Sequence, residues 1–175
     1  RKGRIKRVEL GLFANVRPVR AFAPLASISP LRPRITSGVD FVIVRELIGG
    51  IYFGEPRGIE DLGDGKRRAL NTQTYSSDEI RRVGEFAFEL AGRRRQRLTS
   101  VDKSNVMETG ALWREEITAL GRRHPSVTLD HLYVDACAAR LITGPKQFDV
   151  IVTDNLFGDI LSDAGAAISG SLGML

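Results

Sequence analysis

The chain lacks the residues that would build a disulfide framework or a membrane span. It has a single cysteine, Cys137, so no internal disulfide can form, and we interpret this residue as a small buried helix position rather than a catalytic thiol. Its longest apolar runs, such as FVIV at 41–44, are far shorter than the roughly 20 residues of a transmembrane helix. The basic start is soon interrupted by Asn15 and Arg17, which argues against a secretory signal. We therefore expect a cytoplasmic protein with no membrane partner.

Aromatic residues are also scarce, at 7% of the chain, although the net charge is +5. Positive charge favours anionic partners in general. The basic clusters at 81–82, 93–97 and 122–123 fall on or near predicted helices, and we interpret them as solvated faces. Because few aromatics lie among these arginines and no nucleic-acid motif accompanies them, nucleic-acid binding is disfavoured, and small carboxylate substrates explain the arginines just as well. A nucleic-acid binder remains an alternative hypothesis, which predicts steeply salt-dependent binding to DNA or RNA.

What the chain does contain is an alternation of short β-branched runs with longer amphipathic stretches. At 175 residues and 42% hydrophobic content, it is the size of one domain. The alternation predicts an α/β fold whose sheet is covered by helices and is partly parallel. Ser77 is the expected cap of the first long helix, and 55–72 is expected to be a polar, turn-rich segment. The predicted strands are 41–47, 51–54, 97–101, 128–135 and 148–153, and the predicted helices are 76–95, 111–123, 136–142 and 155–163.

The stretch NLFGDILSD carries the clearest sign of chemistry. Asp159 and Asp163 are four residues apart on a predicted helix, so their carboxylates share one face and can reach a single hard cation. Magnesium and manganese favour such oxygen ligands. Two acids at this spacing also commonly form a solvated face, but apolar neighbours such as Leu156 and Phe157 hold these acids near a packed surface. The spacing therefore indicates a candidate metal site.

Several motifs together extend this interpretation from one site to the whole chain. They are FANVRP (13–18), VREL and GGIYFG (44–54), SVDKSNV (100–106), YVDACA (133–138), FDVIVTDNLFGDILSD (148–163) and GSLGML (170–175). In order and spacing they resemble the isocitrate/isopropylmalate family of β-decarboxylating dehydrogenases, most closely its isopropylmalate branch. The resemblance implies a mixed sheet flanked by helices, with 1–17 ending a cofactor domain, 18–168 forming the domain for substrate, metal and dimer contacts, and 169–175 returning toward the cofactor domain.

The resemblance also implies a substrate-binding set. Arg7, Arg17 and Arg45 match the family arginines that clamp the two carboxylates of a malate-like substrate. Guanidinium groups suit this role because they bind carboxylates bidentately. Asn105 would lie near the substrate and the nicotinamide. Gly3 and Arg4 replace the leucine-rich run that isopropylmalate enzymes carry, so the substrate side chain is less well indicated than the carboxylates.

Metal and acid–base roles follow from the same resemblance. Asp135, donated by the neighbouring subunit, would join Asp159 and Asp163 in binding Mg²⁺ or Mn²⁺ and would lie beside the substrate. Lys103, also from the partner subunit, would assist removal of the hydroxyl proton, and Tyr52 would deliver a proton after carbon dioxide leaves. Without the motif, Lys103 would be interpreted as a solvated charge and Tyr52 as packing. Asp135 has a second interpretation as a cap of the following helix.

The implied activity is NAD-dependent oxidative decarboxylation of 3-isopropylmalate to 4-methyl-2-oxopentanoate, in leucine biosynthesis, by a homodimer with shared active sites. The alternatives are a related enzyme acting on tartrate, malate or isocitrate, and a non-catalytic dimerisation module. Against the family pattern we expect this chain to be a piece without the opening strands and without the segment for the adenosine part of NAD. We therefore assign no cofactor-binding residue and expect this piece alone to be inactive. Ile48 and Ala164 depart from the threonine and glutamate expected beside functional positions.

Overall fold

The fold is a central five-stranded sheet covered by helices on both faces. The computed structural model describes residues 10–22, 29 and 31–169. The strands are β1 (Ala14–Arg20), β2 (Asp40–Glu46), β3 (Gly54–Asp61), β4 (Arg67–Thr72), β5 (Arg97–Asp102), β6 (Thr128–Tyr133) and β7 (Val150–Thr153). The helices are α1 (Pro33–Thr36), α2 (Ser77–Gly92), α3 (Glu108–Gly121), α4 (Val134–Thr143) and α5 (Asn155–Ser169), with a 3₁₀ turn at Pro145–Gln147.

The sheet has the spatial order β1-β2-β7-β5-β6. Strand β1 runs antiparallel to β2, whereas β2, β7, β5 and β6 are parallel to one another. This is the mixed sheet flanked by helices that the sequence predicted. In the described ranges, no helix is long and apolar enough to cross a membrane.

Alternation along the strands divides the core into two layers. Val42 and Val44 pack with α2 and α3 on one face, around the fully buried Trp113. Phe41 and Ile43 point to the other face, which α4 and α5 cover. Both sets are buried because parallel strands in an α/β fold carry helices on each side. The side chains of β2 therefore alternate between two cores until the strand reaches its polar end.

The N-cap of helix α2 lies one residue before the predicted cap. Ser76, rather than Ser77, is its N-cap, and its hydroxyl accepts from the backbone N–H of Glu79. The Glu79 side chain in turn accepts from the backbone N–H of Ser76, which completes a capping box. The apolar residues Ile80, Val83 and Ala87 are buried against the sheet.

The predicted strand at 51–54 is wrong, because this segment forms a turn. Gly50 has a left-handed φ of +77°, and its carbonyl accepts from the N–H groups of Phe53 and Gly54. Glycine adopts that conformation at little cost, so the pair Gly49 and Gly50 ends extended structure after β2. The turn carries Tyr52 away from the sheet and toward α5.

The segment predicted to be turn-rich is instead a two-stranded hairpin, β3–β4. Asp64 and Gly65 have positive φ angles at its tip, where the Leu62 N–H donates to the Lys66 carbonyl. Nearly every residue of both strands is exposed. Because the hairpin has no apolar face, its sequence does not alternate apolar and polar residues. The hydrophobic pattern therefore could not predict these strands.

Two further boundaries differ from the sequence interpretation. Strand β6 ends at Tyr133, so Asp135 lies in the first turn of α4 rather than in a strand. Tyr133 is the N-cap of that helix and no side chain caps it, which excludes the alternative that Asp135 is the N-cap. Helix α3 starts at Glu108 rather than at residue 111.

The cluster at 93–97 is only partly a solvated face. Arg94 is 25% exposed and donates to both Asp149 and Asp40, at 2.9 and 2.8 Å. The Asp149 side chain is fully buried and also accepts from the backbone N–H of Arg95. These contacts tie the amino ends of β2, β5 and β7 together, at the edge of the sheet opposite to the candidate site. Their role is structural.

Candidate active site

Polar side chains gather where the parallel strands β2, β5 and β7 end. Arg45 lies at the end of β2, Lys103 follows β5, and Asp154 follows β7 and leads directly into α5. Carboxyl ends of neighbouring parallel strands meet at one edge of a sheet, and ligands of α/β proteins bind there. This edge is therefore the candidate active site.

Arg45 is the central cation of this edge. Its side chain is 10% exposed. The Nε and Nη2 groups donate to Oδ1 of Asn155 at 3.0 and 2.8 Å, and Nη1 donates to Oδ1 of Asp159. The guanidinium also lies over the ring of Tyr52, 5.5 Å from its centroid. A cation held this firmly in a partly desolvated position can bind an anionic ligand with little loss of side-chain entropy.

Gly158 allows α5 to approach this arginine. A Cβ at position 158 would lie 2.6 Å from Cγ and 2.7 Å from Cβ of Arg45, closer than non-bonded carbon atoms can be. The missing side chain therefore brings the helix carrying Asp159 into direct contact with β2.

Tyr52 and Asp159 form the second contact of the site. The hydroxyl of Tyr52 donates to Oδ2 of Asp159 at 2.6 Å. This hydrogen bond, together with desolvation, raises the pKa of Tyr52. The phenol therefore holds its proton more strongly than a free tyrosine does.

Arg17 lies on the same face of the sheet as Arg45. In the β1–β2 register Asn15 is opposite Arg45 and Arg17 is opposite Ile43, so all these side chains point toward α5. Asn15 accepts a hydrogen bond from the Nε group of Arg17. The structure thus places two of the three predicted substrate arginines along one sheet face.

Asp163 lies one turn beyond Asp159 on α5, with its side chain exposed. The pair provides two carboxylates on consecutive turns, and the Asp159 side chain is 37% exposed. Oxygen-only donors at this spacing suit a hard divalent cation. Among the residues that the structure describes, no three His, Cys, Asp or Glu side chains come together closely enough to bind a metal. Asp159 and Asp163 therefore suit a divalent cation, but a complete site needs a further ligand besides these two.

A second group forms around Lys103 and Asp135. The Nζ group of Lys103 donates to Oδ1 of Asp135, and this contact lowers the pKa of Asp135. The ammonium also lies 5.8 Å from the centroid of the Tyr133 ring. Asn105 is exposed in the turn that follows Lys103. Lys103, Asn105 and Asp135 thus share one surface.

The two groups remain separate within one chain. Over 31–169, no hydrogen bond or ion pair joins Lys103 or Asp135 to Tyr52, Arg45 or Asp159. Arg7, Gly3, Arg4 and the GSLGML segment lie outside the described residues. The predicted roles of these residues, and the predicted domain boundaries, stay predictions.

Comparison with known proteins identifies the fold and the family. The isocitrate/isopropylmalate dehydrogenase family model matches residues 4–175. The chain belongs to this family. The suspected resemblance is thereby confirmed, and with it the α/β fold.

Individual relatives agree with the family match. The chain is 59% identical over 169 residues to the 3-isopropylmalate dehydrogenase of Rhodospirillum rubrum, covering 97% of the chain and 46% of that protein. It is 56% identical to the 3-isopropylmalate dehydrogenase of Caulobacter vibrioides, covering 97% of the chain and 49% of that protein. The chain thus spans about half the length of the curated relatives that it matches.

A solved structure supports the fold independently. The isocitrate dehydrogenase of Methylococcus capsulatus has a TM-score of 0.82 and 33% identity, covering 94% of this chain and 47% of that protein. The family fold therefore holds for nearly all of this chain.

Sequence reasoning missed the polar residues beneath the site. Asn155, Asp154 and Glu46 are buried and hydrogen-bonded, but no motif spacing distinguishes them from ordinary loop or strand polar residues. Burial raises the pKa of Asp154 to about 6. The available signal was the polar Asp154–Asn155 pair directly after the apolar run of β7, which marks a strand end in an α/β fold.

Proposed function

We propose that the complete protein carrying this chain catalyses NAD-dependent, metal-assisted oxidative decarboxylation of 3-isopropylmalate to 4-methyl-2-oxopentanoate, a step of leucine biosynthesis. The observation that carries the proposal is the 59% identity to a 3-isopropylmalate dehydrogenase across 97% of this chain. The joined Arg45, Tyr52 and Asp159 side chains supply the matching chemistry at the strand ends.

In the proposed reaction Arg45 and Arg17, with Arg7, bind the two substrate carboxylates. Asp159 and Asp163, with Asp135 of the partner subunit, would hold Mg²⁺ or Mn²⁺, which supplies Lewis-acid polarisation of the substrate hydroxyl and its neighbouring carboxylate. NAD⁺ is the hydride acceptor. A cation held by the α5 carboxylates would lie beside Tyr52, because the Tyr52 hydroxyl donates to Asp159.

Two proton transfers accompany the hydride transfer and the loss of carbon dioxide. Lys103 assists removal of the hydroxyl proton as the C–H hydride leaves for NAD⁺. After the C–C bond breaks and carbon dioxide departs, Tyr52 delivers a proton to carbon. Since one proton leaves oxygen and one returns to carbon, the reaction releases no net proton. The Tyr52 hydroxyl, which donates to Asp159 at 2.6 Å, holds the proton for this step.

Sharing of active sites between two subunits has support in the same geometry. Among the described residues, Lys103 and Asp135 bind each other rather than the Arg45 group, and the nearby Tyr133 and Val106 are 37% and 72% exposed. The β3–β4 hairpin projects as an isolated ribbon with Ile59 65% exposed. Isolated two-stranded hairpins are only marginally stable in water. We therefore propose a homodimer in which the hairpin packs on the partner and Lys103 and Asp135 enter the partner's site.

Substrate choice is the least determined part of the proposal. The similarity to an isocitrate dehydrogenase is weaker, at 33% identity, than the 59% similarity to an isopropylmalate enzyme. Gly3 and Arg4 nevertheless leave isocitrate, tartrate and malate as competing substrates. A non-catalytic dimerisation module is disfavoured because Tyr52, Lys103 and the three aspartates are all retained.

The deciding experiment measures NADH formation by the complete protein with Mg²⁺, comparing 3-isopropylmalate, isocitrate, tartrate and malate at equal concentrations. The proposal predicts a clear preference for 3-isopropylmalate. A preference for another acid would support the same mechanism with a different substrate. Absence of turnover with every acid, in protein that is folded and dimeric, would favour the dimerisation module.

A further inference from the structure

The guanidinium of Arg45 is fixed by a neutral acceptor. Two of its donors converge on one amide oxygen of Asn155, and Asn155 is only 1% exposed. A third donor is directed to Asp159. Arginine has five N–H donors, so these contacts leave donors on the terminal nitrogens for a substrate carboxylate.

Asn155 is itself held from two sides. Its Nδ2 group donates to the Gly49 carbonyl at 3.1 Å, and its backbone N–H donates to the Tyr75 hydroxyl at 2.9 Å. Because Nδ2 needs an acceptor and Oδ1 needs a donor, the Gly49 carbonyl on one side and Arg45 on the other determine the amide orientation.

A buried carboxylate closes this network. Glu46 is fully buried and accepts from the backbone N–H groups of Ile48 and Gly49, at 2.8 Å each. The Tyr75 hydroxyl donates to the same carboxylate at 3.2 Å. Glu46 thus anchors both Gly49 and Tyr75, the two groups that hold Asn155. Buried networks with every member satisfied are rigid.

Charge explains why an amide, rather than a carboxylate, suits position 155. Asp159 already places one negative charge beside Arg45. A second carboxylate would offset the remaining positive charge and repel an anionic substrate. Asparagine supplies the same acceptor oxygen without that charge.

We propose that Asn155 is a positioning residue that sets the orientation of the Arg45 guanidinium and leaves its charge available for a substrate carboxylate. This inference rests on the proposed function, since it concerns binding of the dicarboxylate substrate.

The test compares Asn155→Asp with Asn155→Ser in the complete protein. Serine keeps a neutral oxygen, whereas aspartate adds a charge in nearly the same shape. Gln96→Glu is the matched control, because it adds one negative charge at an exposed position on the opposite edge of the sheet. Calorimetry measures the Kd for 3-isopropylmalate, electron paramagnetic resonance measures Mn²⁺ binding alone, and steady-state kinetics separate KM from kcat.

For Asn155→Asp we expect dicarboxylate binding to weaken by at least about tenfold, the equivalent of one charge-assisted hydrogen bond. KM should rise more than kcat falls. Mn²⁺ binding should be retained or tighter, because the new charge lies near Asp159. Asn155→Ser should lose less affinity, and Gln96→Glu should match the wild type.

Two results would overturn the inference. Unchanged dicarboxylate affinity in Asn155→Asp would show that the amide is not needed, and a parallel loss of Mn²⁺ and dicarboxylate binding would assign Asn155 a purely structural role. If Asn155→Asp does not fold, Asn155→Ser carries the test, since it removes the amide from Arg45 without adding charge: weaker dicarboxylate binding with Mn²⁺ binding retained supports the inference, and unchanged dicarboxylate affinity overturns it. A wild-type protein that turns over none of the four acids would instead refute the proposed function.

Discussion

The hydroxyl of Tyr52 and the guanidinium of Arg45 bind opposite oxygens of one carboxylate, that of Asp159. Asp159, a candidate metal ligand, thereby joins the phenol of Tyr52 and the guanidinium of Arg45 in a single side-chain cluster. Because the hydroxyl donates to an anion, the phenol is held in its protonated form.

Replacing Tyr52 with phenylalanine should reduce turnover without abolishing binding. We expect kcat to fall by about 10²-fold or more, the usual contribution of a positioned general acid. KM should change little, since the ring remains over Arg45. Steady-state NADH formation measures both quantities. Tyr133→Phe removes the same atom from another tyrosine and should have a much smaller effect, while equal losses in the two variants would contradict the donor role.

Removing either helix carboxylate should weaken metal binding. Asp159→Asn and Asp163→Asn each delete a charged oxygen ligand, and we expect the Kd for Mn²⁺ to rise by at least about tenfold. Titration followed by electron paramagnetic resonance gives the affinity. Asp78→Asn, at an exposed position on α2, is the matched control. Wild-type affinity in both helix variants would rule out this metal site.

The buried carboxylate of Asp149 should contribute strongly to stability. Asp149→Ala leaves Arg94 without its buried partner, and breaking such a pair costs about 3–5 kcal/mol in the free energy of unfolding. Asp40→Ala removes a half-exposed partner of the same arginine and should cost under about 1 kcal/mol. Chemical denaturation of both variants measures the difference. Similar losses would mean that burial of Asp149 does not determine its contribution.

Asp154 should make the folded state less stable as pH rises. Burial raises its pKa from 3.8 to about 6, so between these values the folded protein holds a proton that the unfolded chain has released. The free energy of unfolding should therefore fall over about pH 4 to 6, by on the order of 3 kcal/mol from this group. Denaturant titrations across this range measure the slope.

Asp154→Asn should remove most of that slope and stabilise the protein at neutral pH. The Gln73 Oε1 atom has no hydrogen-bond partner, so an amide flip would let it accept from the new asparagine. Burial also raises the pKa of Glu46, which leaves part of the slope in place. An identical pH profile in wild type and variant would show that Asp154 does not titrate in this range.

The exposed apolar residue Ile59 of the hairpin should matter for association. Ile59→Glu places a charge on the ribbon that we propose to pack on the partner subunit, where an unpaired charge is costly. We expect weaker dimerisation by analytical ultracentrifugation and a parallel loss of activity, since the proposed homodimer builds each active site from both subunits. Gln96→Glu provides the charge control. A dimer of unchanged affinity would place the interface elsewhere.

The alternation of β-branched runs and amphipathic helices predicted most of the central sheet, because each strand packs helices on both faces. It failed at Tyr52 and at the hairpin for different reasons. Gly49 and Gly50 convert a strand-like run into a turn. The β3–β4 hairpin has no buried face, so its sequence shows no alternation of apolar and polar residues. The dipeptide Asp64–Gly65 was the usable hairpin signal.

Within the site, motif resemblance named residues whose chemistry is distinctive, such as Tyr52, Lys103 and Asp159, and their roles stay predictions. It did not identify Asn155 or Glu46, whose roles depend on contacts between segments far apart in the chain. Only the packing of α5 on β2 brings these groups together. Long-range hydrogen bonding of this kind leaves no periodicity in the sequence.

Gly158 is needed both for the packing of the core and for the geometry of the candidate site. Any larger residue there would collide with Arg45 and push α5 outward, so it would loosen the core and separate the carboxylate from the guanidinium in the same step. Directed evolution of this protein could not trade stability for activity at this site, because both would change together. Variation at position 158 should therefore be almost absent from any functional library.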